Sequence, residues 1–547
     1  MTPPRTRWWL TPLLCMLLAI VHTWPLATDP GTLSRNDNGD TQLNEWIMAW
    51  VAHQLPRAPT RLFAANIFYP AHDTLAFSEP LIVPALMGAP LAWLGASPVL
   101  VFNLILILGF MLTAWAGARL VETWTGDRVA SLLGGSMIAF NTHTLTRLAH
   151  MQGIHAYGLP LALLAADRIV TRTWKRDAAW LALWMIVMAC TSGYLVVFAS
   201  LMVAVVVVVR VADWRTKPAR VLGTFALAAG LAAVGSLPIY VPYARVAREQ
   251  GMVRSLETVA DFSASPKGYL AAAGRIHIST WSGRFFKDPV DAFFPGFVVL
   301  ALAGFAIWQV CRSRDGDPVL TLSRRRVLML LAIALTGFVL SLGVRTPVYG
   351  WVFHVFPPMQ GLRAAARFGN LFLLGMAVLA ALGLAGMRRR LSPRAGLIAG
   401  VVLVALANLE SLRAPFQYSR FEGIPAIYSL LAHEPGRVVL VETPFYPARA
   451  VFENASYVLA STAHWRPLMN GYSGYTPVSY RTAADSFWFF PEDYAIQEMR
   501  KAGVTHVMVH PARFYQDAAS VMAKIDASPY LVRMAIGRDG LVLYRLQ

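Results

Sequence analysis

Two carboxylates, Asp37 and Asp40, follow the first long apolar run of the sequence, in the polar stretch 36–40. A carboxylate can take a proton from a hydroxyl group or bind a divalent cation, so this pair is a candidate catalytic site. The residues that follow have their apolar side chains at helical spacing, and Asp40 would serve equally well as the N-cap of that helix. The side chain of Asn44, one turn further on, favours the catalytic interpretation.

The same loop contains a predicted surface helix and a further candidate carboxylate. Apolar residues recur on one face of residues 41–53. This pattern predicts an amphipathic helix on the bilayer surface, with Trp46 and Trp50 at the depth of the headgroups. Glu79 stands where the chain returns to an apolar segment, and a carboxylate at that depth is either paired or shifted in pKa. We take Glu79 as a second acidic candidate, with a role as a helix cap as the alternative.

Basic residues with helical spacing occur in two later segments. His143, Arg147 and His150 would share one face of a helix. Such a face suits a phosphate group, because Arg offers a fork of donors and His adds another. Arg363 and Arg367, just before a later apolar run, predict a second anion-binding pair. The alternatives are histidines that only bond loop carbonyls and arginines that snorkel to lipid headgroups. A zinc site is disfavoured because no third ligand has the expected spacing.

A loop near the C-terminal end is rich in aromatic rings, glycines and hydrogen-bonding groups. It begins at His464, Trp465 and Arg466 and includes Tyr472. Aromatic faces beside polar groups are typical of ligand loops, sugar pockets included. We expect this loop to contact an acceptor substrate. The alternative is that its rings dock the C-terminal segment onto the membrane part.

The composition makes this chain a polytopic membrane protein. Of its 547 residues, 56% are hydrophobic and only 14% are charged. Several apolar runs are long enough to cross a hydrocarbon layer of about 30 Å. The formal charge of +18 resembles that of a nucleic-acid binder, but the Lys and Arg residues concentrate in short loops between apolar runs, which is a topology signal. We therefore expect no nucleic-acid partner. The predicted spans, about eleven in number, are 8–28, 97–118, 129–141, 153–168, 178–192, 193–210, 220–240, 294–311, 326–344, 369–387 and 395–412.

The positions of the basic loops also orient the chain. With a cytoplasmic N-terminus, the basic clusters lie inside, and the outer loops and the C-terminal segment lie outside. We expect the first apolar run to remain as the first helix rather than to be cleaved as a signal peptide. The longer outer connections are 29–96, 142–152, 241–293 and 345–368.

Two apolar stretches need an interpretation of their own. Residues 81–95 are short and contain two prolines, so we expect a re-entrant or interfacial piece on the outer side. Residues 178–210 are long enough for one tilted helix, but Thr191-Ser192-Gly193 predicts a break into two spans.

The C-terminal segment has a different composition, with short apolar runs and more polar residues. This pattern predicts a soluble α/β domain at 413–547, on the outer side of a transmembrane domain at 1–412. The fold class is thus an α-helical polytopic membrane protein with a C-terminal soluble α/β domain. The predicted strands are 437–442, 506–510 and 541–544, and the predicted helices are 423–433 and 491–502.

In these features the sequence resembles the GT-C superfamily of membrane glycosyltransferases. The similarity lies in an acidic motif in a long first outer loop, an amphipathic helix behind it, about eleven spans and a terminal domain on the outer side. Bacterial members of the superfamily carry further similar motifs, and the likeness covers most of the chain. The superfamily often has adjacent carboxylates or an Asp-x-Asp motif, whereas two residues separate the pair here, which leaves open which carboxylate acts. The matching motifs are Gly39-Asp40 with Asn44 and Trp46, Phe68-Tyr69-Pro70, Phe294-Pro295-Gly296, Leu362-Arg363 with Arg367-Phe368, and the run from His464-Trp465-Arg466-Pro467 to Gly474.

The resemblance implies transfer of a hexosyl or pentosyl group from a polyprenyl-phosphate donor to a glycan, lipid or protein acceptor, with inversion. The reaction would take place on the outer face of a bacterial cytoplasmic membrane, in contact with membrane lipids. Asp40 would be the general base, and the arginines of the two basic segments would hold the departing lipid phosphate. Asp37 or Glu79 would assist, by orienting the acceptor or through a divalent cation, Mg²⁺ or Mn²⁺, bound by Asp37 and Asp40.

Two other classes of protein compete with an enzyme. A transporter or flippase of lipid-linked saccharides would also need many spans and outer arginines. Transporters, however, keep polar and broken helices near the midplane, whereas here the polar groups gather at one face, which favours the enzyme. An assembly or docking protein is the third class, and it predicts that replacing Asp40 changes nothing.

Overall fold

The structure, a computed structural model, is mostly helical and describes residues 9–35, 38–252, 254–286, 291–312 and 318–547. The strands are β1 (Leu33–Ser34), β2 (Ser419–Arg420), β3 (Leu440–Thr443), β4 (His506–Val509), β5 (Leu531–Ile536) and β6 (Val542–Leu546). The helices are α1 (Leu10–His22), α2 (Gly39–Gln54), α3 (Ile82–Trp93), α4 (Pro98–Thr125), α5 (Arg128–Ala139), α6 (Thr142–Leu145), α7 (Met151–Ile154), α8 (Gly158–Arg172), α9 (Lys175–Ala189), α10 (Gly193–Val209), α11 (Val211–Trp214), α12 (Pro218–Gln250), α13 (Leu256–Asp261), α14 (Arg275–Ile278), α15 (Phe297–Arg312), α16 (Pro318–Ser341), α17 (Pro347–Val355), α18 (Gly369–Arg388), α19 (Pro393–Ser411), α20 (Tyr428–His433), α21 (Ala455–Ala460), α22 (Val478–Phe487), α23 (Asp493–Lys501) and α24 (Ala518–Ala527).

The chain divides into two compact units that do not follow the order of the sequence. Unit 2 combines the first long loop with the C-terminal segment, and unit 1 contains most of the long helices. The predicted domain boundary after residue 412 stays a prediction. Unit 1 consists of Met1–Thr28, Leu104–Ile239 and Met252–Gln417, and unit 2 consists of Asp29–Asn103, Tyr240–Gly251 and Tyr418–Gln547.

The apolar helices indicate a membrane location. Within the described ranges, four helices are long and apolar enough to cross a membrane, namely α4, α12, Ala365–Arg388 and α19. Shorter apolar helices of 10–17 residues are α1, α3, α5, α10 and α15. The predicted number of about eleven spans stays a prediction, as does the interfacial or re-entrant position of α3.

The predicted break inside residues 178–210 is confirmed. Helix α9 ends at Ala189, and α10 begins at Gly193. The hydroxyl of Ser192 accepts a hydrogen bond from the backbone N–H of Tyr194 at 3.2 Å, so Ser192 serves as the N-cap of α10. This capping residue places the side chain of Tyr194 in the first turn of the new helix.

Helix α18 lies in the core of unit 1, packed against α5, α15 and α16. Its small residues allow backbones to approach closely. A Cβ atom on Gly383 would lie 2.0 Å from the carbonyl oxygen of Leu302 in α15, and one on Gly375 would lie 2.8 Å from that of Leu330 in α16. Only glycine fits these two contacts. The tight packing fixes the start of α18, directly after Arg367 and Phe368.

Unit 2 contains a four-stranded sheet in the order β3-β4-β6-β5, with β3 and β4 parallel and the other neighbours antiparallel. Strands β3, β4 and β6 correspond to predicted strands, and helices α20 and α23 lie within the two predicted helical stretches. Strand β5 was not predicted. It is an edge strand with several exposed residues, and its apolar residues do not alternate regularly.

The predicted helix after the acidic motif is α2, but its surroundings differ from the expectation. Trp46 and Trp50 are 1% and 5% exposed, and α2 packs against α3 and α21 within unit 2. The Trp50 Nε1–H donates to the carbonyl of Leu62 at 2.8 Å. The prediction that these two rings anchor the helix at headgroup depth is therefore wrong, because protein surrounds both of them.

Candidate functional site

Asp40 lies in the first turn of α2. The cap of this helix is Asn38, whose Oδ1 accepts a hydrogen bond of 2.9 Å from the backbone N–H of Asp40. The alternative in which Asp40 is the N-cap is therefore wrong. Instead, Oδ1 of Asp40 accepts a hydrogen bond of 2.6 Å from the hydroxyl of Tyr472. We call Asp40 and Tyr472 the carboxylate site. Asp37 lies outside the described residues.

Glu45, five residues after Asp40 on α2, was not among the predicted site residues. Its side chain is fully buried, and its Oε1 accepts a hydrogen bond of 2.9 Å from the hydroxyl of Ser34. Burial raises the pKa of Glu45 to about 8, against the smaller opposite effect of the bond from Ser34. A carboxyl group with this pKa keeps its proton at neutral pH. In the sequence, Glu45 was visible only as an acidic residue between Asn44 and Trp46. The structure shows that both of these neighbours are buried.

Glu79 lies shortly before α3 and is half-buried. The carbonyl of Ser78, its neighbour in sequence, accepts a hydrogen bond from the hydroxyl of Tyr243. The N-cap position of α3 belongs to Leu81, which has no side chain able to cap. Glu79 is thus not the residue at the cap of α3, and its assisting role stays a prediction.

The loop from His464 to Arg466 is held by hydrogen bonds to backbone groups. The guanidinium of Arg466 donates to the carbonyls of Leu431, Ala432 and Glu434 at 2.8–3.1 Å. Nδ1 of His464 accepts from the backbone N–H of Arg466 at 3.0 Å, and burial lowers the pKa of His464 to about 3. These two side chains therefore stabilise the loop.

Trp465 differs from its two neighbours in this loop. Its ring stacks on His53, with ring centroids 4.2 Å apart, and lies 5.8 Å from the ring of Trp50. The ring is half-buried and extends the aromatic surface of α2. His464 and Arg466 hydrogen-bond to backbone groups, whereas Trp465 presents its ring.

Four of the five predicted basic residues of unit 1 line one cavity, whereas the fifth, Arg363, is exposed and lies over the ring of Phe262. The space is about 790 Å³ with the adjoining solvent included, and its wall contains His143, Arg147, His150 and Arg367. The first three do not share one helical face, because α6 ends at Leu145 and α7 begins at Met151. The loop between these short helices brings the side chains together instead. We call this space the basic cavity. Its further polar lining, which the sequence did not single out, includes Gln152, Tyr194 and Asn370.

Neighbouring protein groups hold the two arginines that line the basic cavity. Arg147 is paired with Asp291 at 3.4 Å, while the guanidinium of Arg367 lies over the ring of Tyr194, 4.5 Å from its centroid. The hydroxyl of Tyr194 accepts hydrogen bonds from the backbone N–H groups of Arg363 and Ala364, at 3.1 and 2.9 Å. This pair of bonds fixes the backbone beside Arg367.

His150 is uncharged in this environment. Burial lowers the pKa of His150 well below its ordinary value, and the charges of Arg367, Arg147 and Arg363 lower it further. A neutral imidazole has one N–H donor and one acceptor nitrogen. The positive charge of the cavity therefore comes from its arginines, and His150 contributes hydrogen bonding.

A metal site is the remaining predicted element. Within the ranges that the structure describes, no three His, Cys, Asp or Glu side chains are placed to share a metal ion. The predicted cation ligands were Asp40, which lies in the carboxylate site, and Asp37, of which the structure gives no description.

Comparison with known proteins gives the fold. No protein-family model and no curated protein matches the sequence. Among solved structures, the arabinofuranosyltransferase AftD from Mycobacteria matches with a TM-score of 0.61 and 18% identity, over 98% of this chain and 39% of that one. The present chain thus spans about two fifths of the length of AftD.

Two further structures match over most of their own length. ArnT from Cupriavidus metallidurans bound to undecaprenyl phosphate has a TM-score of 0.51 and 12% identity, over 99% of this chain and 98% of that one. The oligosaccharyltransferase AglB from Archaeoglobus fulgidus, in complex with an inhibitory peptide and a dolichol-phosphate, has a TM-score of 0.50 and 13% identity, over 99% and 74%. The protein has a helical membrane-protein fold. More closely, its fold is similar to the folds of AftD, ArnT and AglB and is thus GT-C-like, as the resemblance implied.

Proposed function

We propose that this chain is a membrane glycosyltransferase that moves a sugar, hexosyl or pentosyl, from a polyprenyl-phosphate donor to a glycan, lipid or protein acceptor of the cell envelope. The GT-C-like fold supports this class of enzyme. Two of the matching structures contain a lipid phosphate, undecaprenyl phosphate in ArnT and dolichol-phosphate in AglB. A donor of the same chemistry suits the present chain.

The main structural support for this proposal is the basic cavity. It combines arginine side chains with apolar residues such as Leu195, Phe198 and Leu374. A phosphate ester of a long isoprenoid has the same division into a charged head and an apolar chain. Because a lipid phosphate leaves as an anion, positioned guanidinium groups can stabilise the charge that develops on it. We assign this role to Arg367 and Arg147, with Arg363 adding positive charge nearby.

Asp40 is the general base of the proposed reaction. The acceptor hydroxyl gives its proton to the carboxylate while its oxygen forms a bond to the anomeric carbon. The bond from that carbon to the phosphate oxygen breaks, and its electron pair leaves with the polyprenyl phosphate. A single displacement of this kind inverts the anomeric configuration. Glu79 and the aromatic face of Trp465 are proposed to assist in acceptor binding.

We also propose a binding site for a divalent cation, Mg²⁺ or Mn²⁺. Carboxylate oxygens are the ligands that these hard cations prefer. Asp40 and Asp37 would hold the ion, and it would add positive charge beside the acceptor and the departing phosphate. Loss of transfer in EDTA that returns with Mg²⁺ or Mn²⁺ is the expected sign of such a requirement.

We further propose a bacterial inner-membrane location with the N-terminus inside and the C-terminal segment outside. The basic loops between the helices support this orientation, because Lys and Arg favour the cytoplasmic side. Cysteine-free chains with single cysteines added at residue 175 or residue 515 would report the two sides. Labelling of intact cells by a membrane-impermeant maleimide is expected at residue 515 and not at residue 175.

The decisive experiment is transfer of labelled sugar from polyprenyl-phosphate donors in membranes containing the wild type or Asp40→Asn at matched levels. We expect transfer by the wild type and a loss of about 10²- to 10⁴-fold in the variant, the usual contribution of a general base. Asp73→Asn is the control, since Asp73 is a carboxylate of the same loop that pairs with Arg245 at 3.0 Å.

Two outcomes would contradict this proposal. Undiminished transfer by Asp40→Asn would remove Asp40 from the chemistry. A wild type that transfers no sugar but moves the donor across the bilayer would support a transporter instead.

A further inference from the structure

We infer that Tyr472 is a positioning residue for Asp40, and that the chain from Pro467 to Tyr472 is a rigid support for this contact. The inference rests on the proposed function, in which Asp40 is the general base. It changes the predicted role of Tyr472, which the sequence assigned to acceptor binding.

The support is hydrogen-bonded on both of its sides. On one side it runs beside β3: the backbone N–H of Leu440 donates to the carbonyl of Pro467 at 2.9 Å, and that of Met469 donates to the carbonyl of Leu440 at 2.8 Å. On the other side it meets the first loop. There the N–H of Phe68 donates to the carbonyl of Asn470 at 3.1 Å. The segment is therefore fixed like an inner strand, although it follows a loop.

Asn470 fastens this support by its side chain. Its amide is fully buried, its Oδ1 accepts from the backbone N–H of Glu442 at 2.8 Å, and its Nδ2–H donates to the carbonyl of the same residue at 3.0 Å. The buried amide of Asn454 continues the network by donating to the carbonyl of Gly471 at 3.1 Å. Buried amides satisfied in this way define one backbone position, because any shift leaves polar groups without partners.

Close packing leaves the residue before Tyr472 little room to move. A Cβ atom on Gly471 would lie 2.5 Å from the ring of Phe68. At the start of α2, a Cβ atom on Gly39 would lie 3.4 Å from Cε1 of Tyr472. The two glycines let the tyrosine ring lie directly against the helix turn that carries Asp40.

The contact orients the carboxylate. Asp40 has a nearly free rotation about its Cβ–Cγ bond unless a donor holds one oxygen. The hydroxyl of Tyr472 holds Oδ1, so the second oxygen has a defined direction. A general base works only when it lies within hydrogen-bond distance of the proton that it removes. Loss of the tyrosine hydroxyl should therefore slow the chemical step without weakening the binding of the donor.

The test compares Tyr472→Phe with the wild type in steady-state sugar transfer. We expect kcat to fall about 10- to 100-fold, the value of one hydrogen bond to a charged group, with the donor KM unchanged. In the Asp40→Asn background the same substitution should cause no further loss. Tyr475→Phe is the matched control, because the Tyr475 hydroxyl donates to the carbonyl of Gln250 at 2.9 Å, away from Asp40.

Other results would overturn the inference. If Tyr472→Phe keeps the wild-type kcat, or only raises the acceptor KM, Tyr472 contacts the acceptor and does not position Asp40. An additive loss in the double variant would also contradict coupling between the two residues. These outcomes leave the proposed function intact, whereas full activity of Asp40→Asn would remove both. Asn470→Leu, if it folds, should reproduce the kcat defect.

Discussion

The basic cavity of unit 1 and the interior of unit 2 hold their ionisable side chains in different ways. In the basic cavity, Arg147 and Arg367 border a space of about 790 Å³, the adjoining solvent included. In unit 2, Arg466 donates to three backbone carbonyls, and burial raises the pKa of Glu45 to about 8. In the proposed function, arginines thus bind a ligand in one unit, whereas in the other unit an arginine stabilises the protein's own backbone.

The difference shows what decides the role of a charged residue. A guanidinium beside a cavity can exchange water for an anionic ligand, and it keeps its charge for that purpose. A guanidinium whose donors already meet carbonyls has no such capacity, and its removal leaves those carbonyls unsatisfied. Substitutions in the two units should therefore change different measured quantities.

The largest effect on donor binding is expected at Arg367. Arg367→Ala should raise the Kd for polyprenyl phosphate about 10- to 100-fold, because a charge-assisted contact is lost, while the thermal stability stays close to that of the wild type. Titration of the purified protein in detergent with undecaprenyl phosphate measures the Kd. Arg119→Ala, at a half-exposed arginine beside Glu122, is the control. An unchanged Kd in Arg367→Ala would remove the cavity from phosphate binding.

Part of the fold and some of the candidate site residues could be predicted from the sequence. Helix α2, the break before α10 and strands β3, β4 and β6 follow from local signals, namely apolar periodicity and capping residues. The sequence also indicated which basic residues to consider for anion binding. Their arrangement could not be predicted, because His143, Arg147 and His150 meet through a loop between α6 and α7 rather than along one helix.

The roles of Arg466 and Glu45 could not be predicted for a different reason. Both depend on partners that are distant in sequence or set by tertiary packing. Arg466 bonds carbonyls at the end of α20, and Glu45 is covered by the chain around β1. Local sequence shows that a residue is ionisable, whereas burial and hydrogen bonding decide whether its charge is available.

At Arg466 the expected effect is on stability rather than on binding. Arg466→Ala leaves the carbonyls of Leu431, Ala432 and Glu434 without their donor, which should cost about 2–3 kcal/mol of unfolding free energy. Thermal unfolding in detergent should show a lower Tm, while donor Kd stays unchanged. Arg500→Ala, at an exposed arginine of α23, is the control. A stable Arg466→Ala protein with impaired acceptor use would instead support the predicted ligand role.

At Glu45 the expected effect on stability depends on pH. The pKa of this carboxyl is raised from 4.5 to about 8 by burial. Between these values the folded protein keeps a proton that the unfolded chain has lost, so this residue makes the folded state less stable as the pH rises, by about 1.4 kcal/mol per pH unit. The contribution is most favourable below pH 4.5 and levels off above pH 8.

Glu45→Gln removes this titration and keeps the shape of the side chain. The stability of the variant relative to the wild type should therefore rise between pH 5 and pH 8, approaching a slope of about 1.4 kcal/mol per pH unit, and then become constant. Chemical unfolding at several pH values measures this difference. Glu498→Gln, at an exposed ion pair with Lys501, should leave the slope of the wild type unchanged. Parallel curves of unfolding free energy against pH for wild type and Glu45→Gln would mean that Glu45 is ionised in the folded protein. The difference between the two units would then depend on Arg466 alone.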